Sequence, residues 1–310
     1  MSKTAFLFPG QGSQHPGMGK LLQERYESAR GVFAEADQSL GFSLSRLCFE
    51  GPEDELKRTE NTQPALLAVS IAAFRVLEEA GRKPDVVAGH SLGEYSALVA
   101  AGSLSFKDAV QLVRKRGRYM QEAVPAGQGG MAALLKLPEG KLDSILAEAA
   151  GGEVVSAANL NSPDQIVIAG HMAAVERAVN LAKAAGAKRA VMLAVSAPFH
   201  CSLMKPAQER LRGDLDQVRF ADLSLPLVSN WNAQAITTGA EAREGLYQQV
   251  PNPVRWTESI RAIRAMGIEK FVEVGAGGVL TGLCRQIDPA FVGAKFGEPG
   301  DWEKVNDVFK

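Results

Sequence analysis

Short apolar runs alternate with longer amphipathic stretches along most of the chain, and this alternation predicts its secondary structure. Pro64 is expected in the first turn of one helix, and Ser105 is expected to cap another. Strands that alternate with helices predict an α/β fold, with a mostly parallel sheet covered on both faces. The predicted strands are 4–8, 85–88 and 270–274, and the predicted helices are 17–40, 64–80, 94–101 and 106–123.

The middle of the chain predicts a different unit, in the order strand, helix, strand, strand, helix, strand. This is the order of a split-βαβ, ferredoxin-like arrangement. We therefore expect a ferredoxin-like subdomain at 128–194, inserted into a discontinuous core that comprises 1–127 and 195–310. Its predicted elements are 131–137, 138–150, 153–158, 165–169, 172–185 and 188–193.

Composition excludes several classes of protein. The 310 residues include 34 Lys+Arg and 35 Asp+Glu, and a net charge of −1 argues against nucleic-acid binding through bulk charge. The three cysteines (Cys48, Cys201 and Cys284) form no CxxC pattern, so neither a disulfide scaffold nor a zinc ribbon is supported. The longest apolar stretch, 65–74, is too short to cross a bilayer, and the start of the chain lacks a signal-peptide core. We expect a cytoplasmic protein.

Gly89-His90-Ser91-Leu92-Gly93 matches the G-x-S-x-G pattern of a nucleophile elbow. The serine of an elbow lies on a tight strand-to-helix turn, where side chains at the two glycine positions would collide with the backbone. A predicted strand precedes this match and a predicted helix follows it. The alternative is an ordinary turn that contains a serine, but the context favours Ser91 as a nucleophile.

An activated serine needs a base, and the chain has four histidines. His90 adjoins Ser91, but successive side chains point apart on such a turn. His171 opens a helix of the predicted insertion, and His15 lies in the first glycine-rich loop. His200 follows a Pro-Phe bend where the chain returns to the main sheet, so we predict that His200 is the base. No acid that would orient its ring is identifiable, and a main-chain carbonyl is the alternative.

The loop Gly10-Gln11-Gly12 predicts the second part of an acyl-transfer site. A tetrahedral oxyanion needs two convergent N–H groups, one from the residue after the nucleophile and one from another loop. Leu92 and Gln11 are the candidates. A nucleotide-binding loop is excluded, because His15 stands at a fingerprint glycine position and Met18 at the P-loop lysine position.

Arg116 has an unusual position on its predicted helix. At helical spacing it points about 200° away from Arg114. Its neighbours one turn away on either side are apolar or aromatic: Leu112, Val113, Tyr119 and Met120. A buried arginine has to meet an anion, because an unpaired buried charge is costly. The anion is either an internal Asp or Glu or a substrate carboxylate, which an arginine fork can bind at two points.

Several motifs together resemble the malonyl-CoA:acyl carrier protein transacylases of type II fatty-acid synthesis, over essentially the whole chain. This resemblance implies an α/β-hydrolase-like core with an inserted ferredoxin-like subdomain, in agreement with the strand order. One departure is Val250-Pro251-Asn252, where relatives often carry an aromatic residue before the asparagine. The motifs are Phe8-Pro-Gly-Gln-Gly-Ser-Gln14, Thr62-Gln-Pro-Ala-Leu66, Gly89-His-Ser-Leu-Gly-Glu-Tyr-Ser-Ala-Leu98, Arg116-Gly117, Met120-Gln121, Asn161-Ser-Pro163, Pro198-Phe-His200, Asn252-Pro-Val-Arg-Trp256 and Glu273-Val-Gly275.

The resemblance also implies a role for each matching residue. Ser91 would carry the malonyl group and His200 would be its base. Gln11 and Leu92 would provide the oxyanion N–H groups. Arg116 would hold the malonyl carboxylate.

Four further positions receive lesser roles from the same resemblance. A main-chain carbonyl near Gln249 would orient the histidine. Gln63 and Asn159 would line the pocket. Phe199 resembles the residue found in malonyl-selective members more than that of members which take branched extender units.

The resulting hypothesis is ping-pong transfer of a malonyl group from malonyl-CoA to the phosphopantetheine thiol of acyl carrier protein, which supplies extender units for fatty-acid biosynthesis. We expect no metal and no cofactor, a monomer, a transient carrier partner, and neither nucleic acid nor membrane as a partner. The exposed basic residues Arg114, Lys115, Arg118, Lys188 and Arg189 are candidate carrier contacts. Two alternatives remain. One is a serine hydrolase of the lipase or phospholipase type, and the other is a non-catalytic docking module with an inert serine.

Overall fold

The computed structural model describes residues 3–195 and 197–310. Within them, ten strands form one six-stranded and one four-stranded sheet. The strands are β1 (Thr4–Phe8), β2 (Val86–Gly89), β3 (Gly129–Leu135), β4 (Val155–Ser162), β5 (Gln165–His171), β6 (Arg189–Met192), β7 (Leu227–Val228), β8 (Ala235–Ile236), β9 (Lys270–Val274) and β10 (Val292–Phe296).

Helices cover both sheets. Two short 3₁₀ helices, Ser202–Met204 and Pro299–Asp301, accompany the α-helices of the described residues. The α-helices are α1 (Lys20–Arg25), α2 (Glu27–Leu40), α3 (Leu44–Glu50), α4 (Glu53–Lys57), α5 (Thr59–Glu79), α6 (Gly93–Ala100), α7 (Phe106–Glu122), α8 (Leu142–Ala150), α9 (Met172–Ala184), α10 (Lys205–Gln217), α11 (Gly239–Gln249), α12 (Trp256–Ala265), α13 (Val279–Ile287) and α14 (Trp302–Val308).

The six-stranded sheet has the order β10-β9-β1-β2-β7-β8. All neighbouring pairs are parallel except the β7–β8 pair. Phe6 and Phe8 of β1 belong to one buried cluster, whereas Ala5 and Leu7 belong to another on the opposite face. The prediction of a mostly parallel sheet buried on both faces is therefore confirmed.

The four-stranded sheet has the order β4-β5-β3-β6, and all its pairs are antiparallel. The helices α8 and α9 pack against it and share a separate buried cluster, which includes Ile145, Ile168 and Val175. Its elements follow the order strand, helix, strand, strand, helix, strand, as the sequence pattern predicts.

The prediction of one helix over 17–40 is wrong. The backbone of Gly17 and Gly19 has positive φ, so the helical part begins only at Lys20. Tyr26 is extended, with φ −121° and ψ 130°, and it separates α1 from α2. Its hydroxyl accepts a hydrogen bond from the indole N–H of Trp302, at 2.8 Å, which helps to hold this break.

The expected position of Pro64 in a first helical turn is also wrong, because α5 begins at Thr59 and contains Pro64 in its interior. The additional turn is held by side chains that bond to the preceding backbone. Asn61 donates to the carbonyl of Glu55 at 2.9 Å, and the Thr62 hydroxyl donates to that of Leu56 at 2.6 Å.

Candidate active site

Ser91 lies on a tight turn between β2 and α6, as the elbow pattern predicts. Its φ is +51°, a left-handed conformation that is uncommon for a residue with a side chain. A Cβ atom on Gly89 would lie 1.9 Å from the carbonyl oxygen of Gly93, and one on Gly93 would lie 2.0 Å from that of Phe8. Both glycines are therefore required by close approaches of the backbone.

Asn230, two residues after β7, holds the two ends of this turn together. Its Oδ1 accepts from the amide of Ser91 at 2.7 Å, and its Nδ2 donates to the carbonyl of Gly89 at 2.7 Å. The sequence interpretation did not identify Asn230. One sequence signal could have identified it: Asn230 is a polar residue just after an apolar segment that forms a parallel strand. The carboxyl ends of neighbouring parallel strands meet at one edge of a sheet, so such a residue lies close to the turn after β2.

His200 is the histidine that contacts the serine. Its Nε2 lies 2.7 Å from Ser91 Oγ, and its Nδ1 lies 3.0 Å from the main-chain carbonyl oxygen of Gln249. A carbonyl oxygen can only accept, so Nδ1 carries the proton and Nε2 is left as an acceptor for the serine hydroxyl. The ring is thus oriented by a main-chain carbonyl.

The environment of His200 keeps its imidazole neutral. Burial, followed by the positive charge of Arg116, lowers the pKa of His200 to about 3. At neutral pH the Nε2 lone pair is therefore available to accept a proton from Ser91.

Arg116 lies directly beside the serine. It is 1% exposed, and its Nη2 lies 3.1 Å from Ser91 Oγ and 2.8 Å from Gln249 Oε1. Its Nη1 donates to Gln63 Oε1 at 2.8 Å, and its guanidinium lies 5.6 Å from the centre of the Tyr95 ring.

Arg116 has no ion-pair partner among the residues that the structure describes. No carboxylate oxygen of these residues lies within 4.0 Å of its guanidinium nitrogens. Its Nε is buried and has no hydrogen-bond partner in these residues. The internal Asp or Glu pair that the sequence left open is thus not found there. A buried cation of this kind favours an anionic group in the adjacent space.

Glu94, in the first turn of α6, is a buried carboxylate that the sequence interpretation left without a role. It is 1% exposed, and its Oε2 accepts from Gln249 Nε2 at 2.6 Å. Burial outweighs its hydrogen bonds and the nearby charge of Arg116 and raises the pKa of Glu94 to about 7. A charged residue on a helix that is otherwise almost entirely apolar was the available signal.

Ser91, His200 and Arg116 face a cavity of about 690 Å³. Two strands of the four-stranded sheet contribute Met131 and Asn159 to its wall, and the loops that follow β1 and β2 of the six-stranded sheet contribute Gln11 and Ser91. The predicted site residues that line it are Gln11, Gln63, Ser91, Arg116, Asn159, Phe199 and His200. Leu92 and Gln249 are buried and do not line the cavity. Gln249 contacts two residues that do, Arg116 through its side chain and His200 through its main-chain carbonyl.

The backbone N–H groups of Gln11 and Leu92 donate to no acceptor among the residues that the structure describes. The side chain of Gln11 donates to the Thr59 hydroxyl at 3.2 Å, which anchors the first loop beside α5. Both amides therefore remain available to a further acceptor.

The other three histidines have different surroundings. His90 lines the cavity, but its Nε2 lies 2.8 Å from Asn161 Oδ1. His171 Nδ1 accepts from the amide of Val154 at 2.9 Å, and His15 is exposed. The three cysteines are buried and unpaired. In the described part of the chain, no group of three or more His, Cys, Asp or Glu side chains has the arrangement of a metal site, and no helix is long and apolar enough to span a membrane.

Comparison with known proteins identifies related acyltransferases. The acyl transferase domain family matches residues 5–287. A malonyl CoA-acyl carrier protein transacylase of Bacillus subtilis is 52% identical over 289 residues, which cover 93% of this chain and 91% of that protein. One of Salmonella typhimurium is 49% identical over 300 residues, covering 96% and 97%. The chain belongs to this family of acyltransferases.

Solved structures of such acyltransferases have the same fold. An acyl carrier protein S-malonyltransferase of Vibrio cholerae aligns with a TM-score of 0.95 at 47% identity, over 97% of this chain and 99% of that chain. A malonyl-transacylase in complex with a type II PKS acyl-carrier protein aligns with a TM-score of 0.96 at 45% identity, over 99% and 100%.

Proposed function

We propose that this acyltransferase moves a malonyl group from malonyl-CoA to the phosphopantetheine thiol of acyl carrier protein, through a malonyl ester on Ser91. The observation that carries the proposal is the buried guanidinium of Arg116, 3.1 Å from Ser91 Oγ and without a carboxylate partner in the described residues. An acyl group that bears a free carboxylate satisfies both features at once.

The first half-reaction begins at Ser91 Oγ, which attacks the thioester carbon while its proton passes to His200 Nε2. The Nδ1 contact with the Gln249 carbonyl stabilises the resulting imidazolium. When the tetrahedral intermediate collapses, His200 returns the proton to the departing CoA sulfur. In the second half-reaction the carrier thiol gives its proton to His200 and its sulfur attacks the serine ester. The ester bond then breaks, and His200 returns the proton to Ser91 Oγ.

The negative oxygen of each tetrahedral intermediate would be held by the N–H groups of Gln11 and Leu92. Their lack of acceptors in the described residues supports this role, because an oxyanion site needs donors that are not already occupied. Leu92 directly follows Ser91 on the elbow, and Gln11 lies in the loop after the adjacent parallel strand β1.

The remaining pocket residues would shape the acyl site. Gln63 holds one side of the Arg116 guanidinium, so we propose that it keeps the fork in position. Asn159 and Phe199 line the cavity and would limit the size of the acyl group. We propose no metal and no cofactor, because positioning, a base and oxyanion stabilisation suffice for acyl transfer.

We also propose a division of the chain into an α/β-hydrolase-like core at 1–127 and 195–310 and a ferredoxin-like subdomain at 128–194. Two facts support it: β3 begins at Gly129 and β6 ends at Met192, and the strands β3 to β6 form a sheet of their own. One isolated parallel bridge, between Asn159 of β4 and Val254, links this sheet to the core. The cavity would then lie where the two units meet. We propose further that the protein is a cytoplasmic monomer and that it contacts its carrier protein only transiently.

Incubation with malonyl-CoA, followed by mass spectrometry of the Ser91 peptide, tests this function. We expect a malonyl adduct on Ser91 that disappears when holo acyl carrier protein is added, and Ser91→Ala should give no adduct. Rapid release of free malonate without a carrier would indicate a serine hydrolase. Absence of any adduct in the wild type would indicate a non-catalytic docking module.

A further inference from the structure

Glu94, Gln249 and Arg116 form a buried chain of polar contacts behind the serine. Gln249 is fully buried, and its Nε2 lies 2.6 Å from Glu94 Oε2 and 2.9 Å from the carbonyl oxygen of Ser91. Its Oε1 lies 2.8 Å from Arg116 Nη2. One amide therefore separates a carboxylate from a guanidinium.

The orientation of this amide is fixed by its partners. The Ser91 carbonyl can only accept and the Arg116 guanidinium can only donate, so Nε2 must face the serine and Oε1 must face the arginine. The second hydrogen of Nε2 is then directed at Glu94. An ionised Glu94 accepts this hydrogen bond and supplies the negative charge nearest to Arg116 along the chain of contacts.

We propose that Glu94 is the resident counter-anion of Arg116 and that it takes up a proton when a malonyl carboxylate occupies the guanidinium. Loading with malonyl, but not with acetyl, is then coupled to proton uptake. This inference rests on the proposed function, because it requires a substrate carboxylate at Arg116.

The charges around Glu94 favour this exchange. Arg116 of α7 is the cation that acts on it, and Tyr95 of α6 is its titratable neighbour on the same helix. Gln249 at the end of α11 and the backbone amide of Asn230 are neutral donors. With malonyl bound, one carboxylate would contact the guanidinium and Glu94 would be linked to it through Gln249. Two charged carboxylates in one buried site are less stable than one carboxylate and one neutral acid, because like charges raise the pKa of one of them.

Glu94 is suited to this role because burial already brings its pKa to about 7, so that the proton is available at neutral pH. The bonds and protons of the loading reaction balance without a proton from Glu94. The serine proton passes through His200 to the CoA sulfur as the thioester bond breaks and the serine ester forms, and the proton on Glu94 comes from solvent.

The test compares malonyl loading with acetyl loading as the pH is varied. The equilibrium constant for exchange of CoA against acyl-Ser91 is measured by intact-mass spectrometry for both thioesters, so that titration of CoA itself cancels in their ratio. If malonyl raises the pKa of Glu94 by about one further unit, the malonyl-to-acetyl ratio falls about tenfold between about pH 6 and about pH 9. The loaded state binds more protons, so its formation is favoured at low pH.

Glu94→Gln removes the titrating group and should make this ratio independent of pH. Glu273→Gln is the matched control. Glu273 is also buried, but it bonds to the backbone of Leu280 and Thr281 at the start of α13 and should leave the wild-type slope unchanged. A slope that persists in Glu94→Gln, or a flat wild-type ratio, would overturn the proposal.

A second measurement requires no variant. In weakly buffered solution at about pH 7.5, wild-type loading with malonyl-CoA should take up a substantial fraction of one proton per site more than loading with acetyl-CoA does. Equal uptake with both thioesters would refute the role of Glu94 while leaving malonyl transfer intact. Failure to form malonyl-Ser91 at any pH would instead refute the proposed function.

Discussion

Arg116→Ala removes a buried guanidinium that contacts Gln63, Ser91 and Gln249. All three direct contacts involve neutral partners, and Glu94, which is linked to Arg116 only through Gln249, keeps its hydrogen bond from that amide. The loss should therefore fall mainly on a substrate that carries its own negative charge. Malonyl has such a charge and acetyl has none.

The magnitude follows from the contacts that a carboxylate can make with this guanidinium. A hydrogen bond to a charged group contributes about 1.5–3 kcal/mol, and a fork can offer two of them to one carboxylate. Part of this gain is offset, because Arg116 gives up present contacts to receive the substrate. We expect a net loss of about 2–4 kcal/mol, which is about 30- to 900-fold in kcat/KM for malonyl-CoA.

The assay measures kcat/KM for malonyl-CoA and acetyl-CoA with the same carrier protein. Acetyl transfer should be unchanged or improved, because it does not use the guanidinium. Lys107→Ala is a control on the same helix, since Lys107 is exposed in the first turn of α7. An equal loss for both acyl groups would refute the reasoning and make Arg116 a structural residue.

Three further outcomes follow from the same geometry. The charge of Arg116 lowers the pKa of His200, so Arg116→Ala should raise that pKa. The acid limb of the pH profile for acetyl loading should then move to higher pH, and an acid limb that does not move contradicts this prediction. Asn230→Ala leaves the Ser91 amide and the Gly89 carbonyl without their hydrogen bonds to this side chain, at a cost of about 1–3 kcal/mol of stabilisation of the turn for each group. The value of kcat should therefore fall more than KM changes, and an unchanged kcat contradicts this prediction. Reversing the charge of exposed Lys188 and Arg189 should raise KM for the carrier at least about threefold and leave KM for malonyl-CoA unchanged. An equal rise for both substrates would exclude a carrier surface there.

The parts of the site that could be predicted from sequence depend on local geometry. The elbow requires small residues at two positions of one turn, and the structure has backbone atoms within 2.0 Å of where both side chains would begin. Arg116 was separated from its basic neighbours by helical spacing alone, and it is buried whereas Arg118 of the same helix is half exposed. Such features leave a pattern within a few residues of the chain.

Helix boundaries were predicted less well, because distant or non-periodic contacts decide them. The start of α5 depends on two side chains that bond to the preceding backbone, and hydrophobic spacing carries no trace of those bonds. The break at Tyr26 involves a hydrogen bond to Trp302, 276 residues later in the chain. A pattern of apolar positions cannot report a partner so far away.

The same limit explains why the polar network behind the serine was missed. Asn230 bonds to an amide 139 residues earlier, and Gln249 bonds to a carbonyl 158 residues earlier, so each is an ordinary amide until the fold is known. Glu94 lies in a motif that drew attention to its serine, although the carboxylate is as deeply buried as Arg116. Burial converts these common residues into groups whose charge and orientation depend on one another, because in a medium of low polarity each must be satisfied by the next. The substrate carboxylate would enter this network as one more member, and for that reason the protonation of Glu94 is the property on which the response to malonyl should depend.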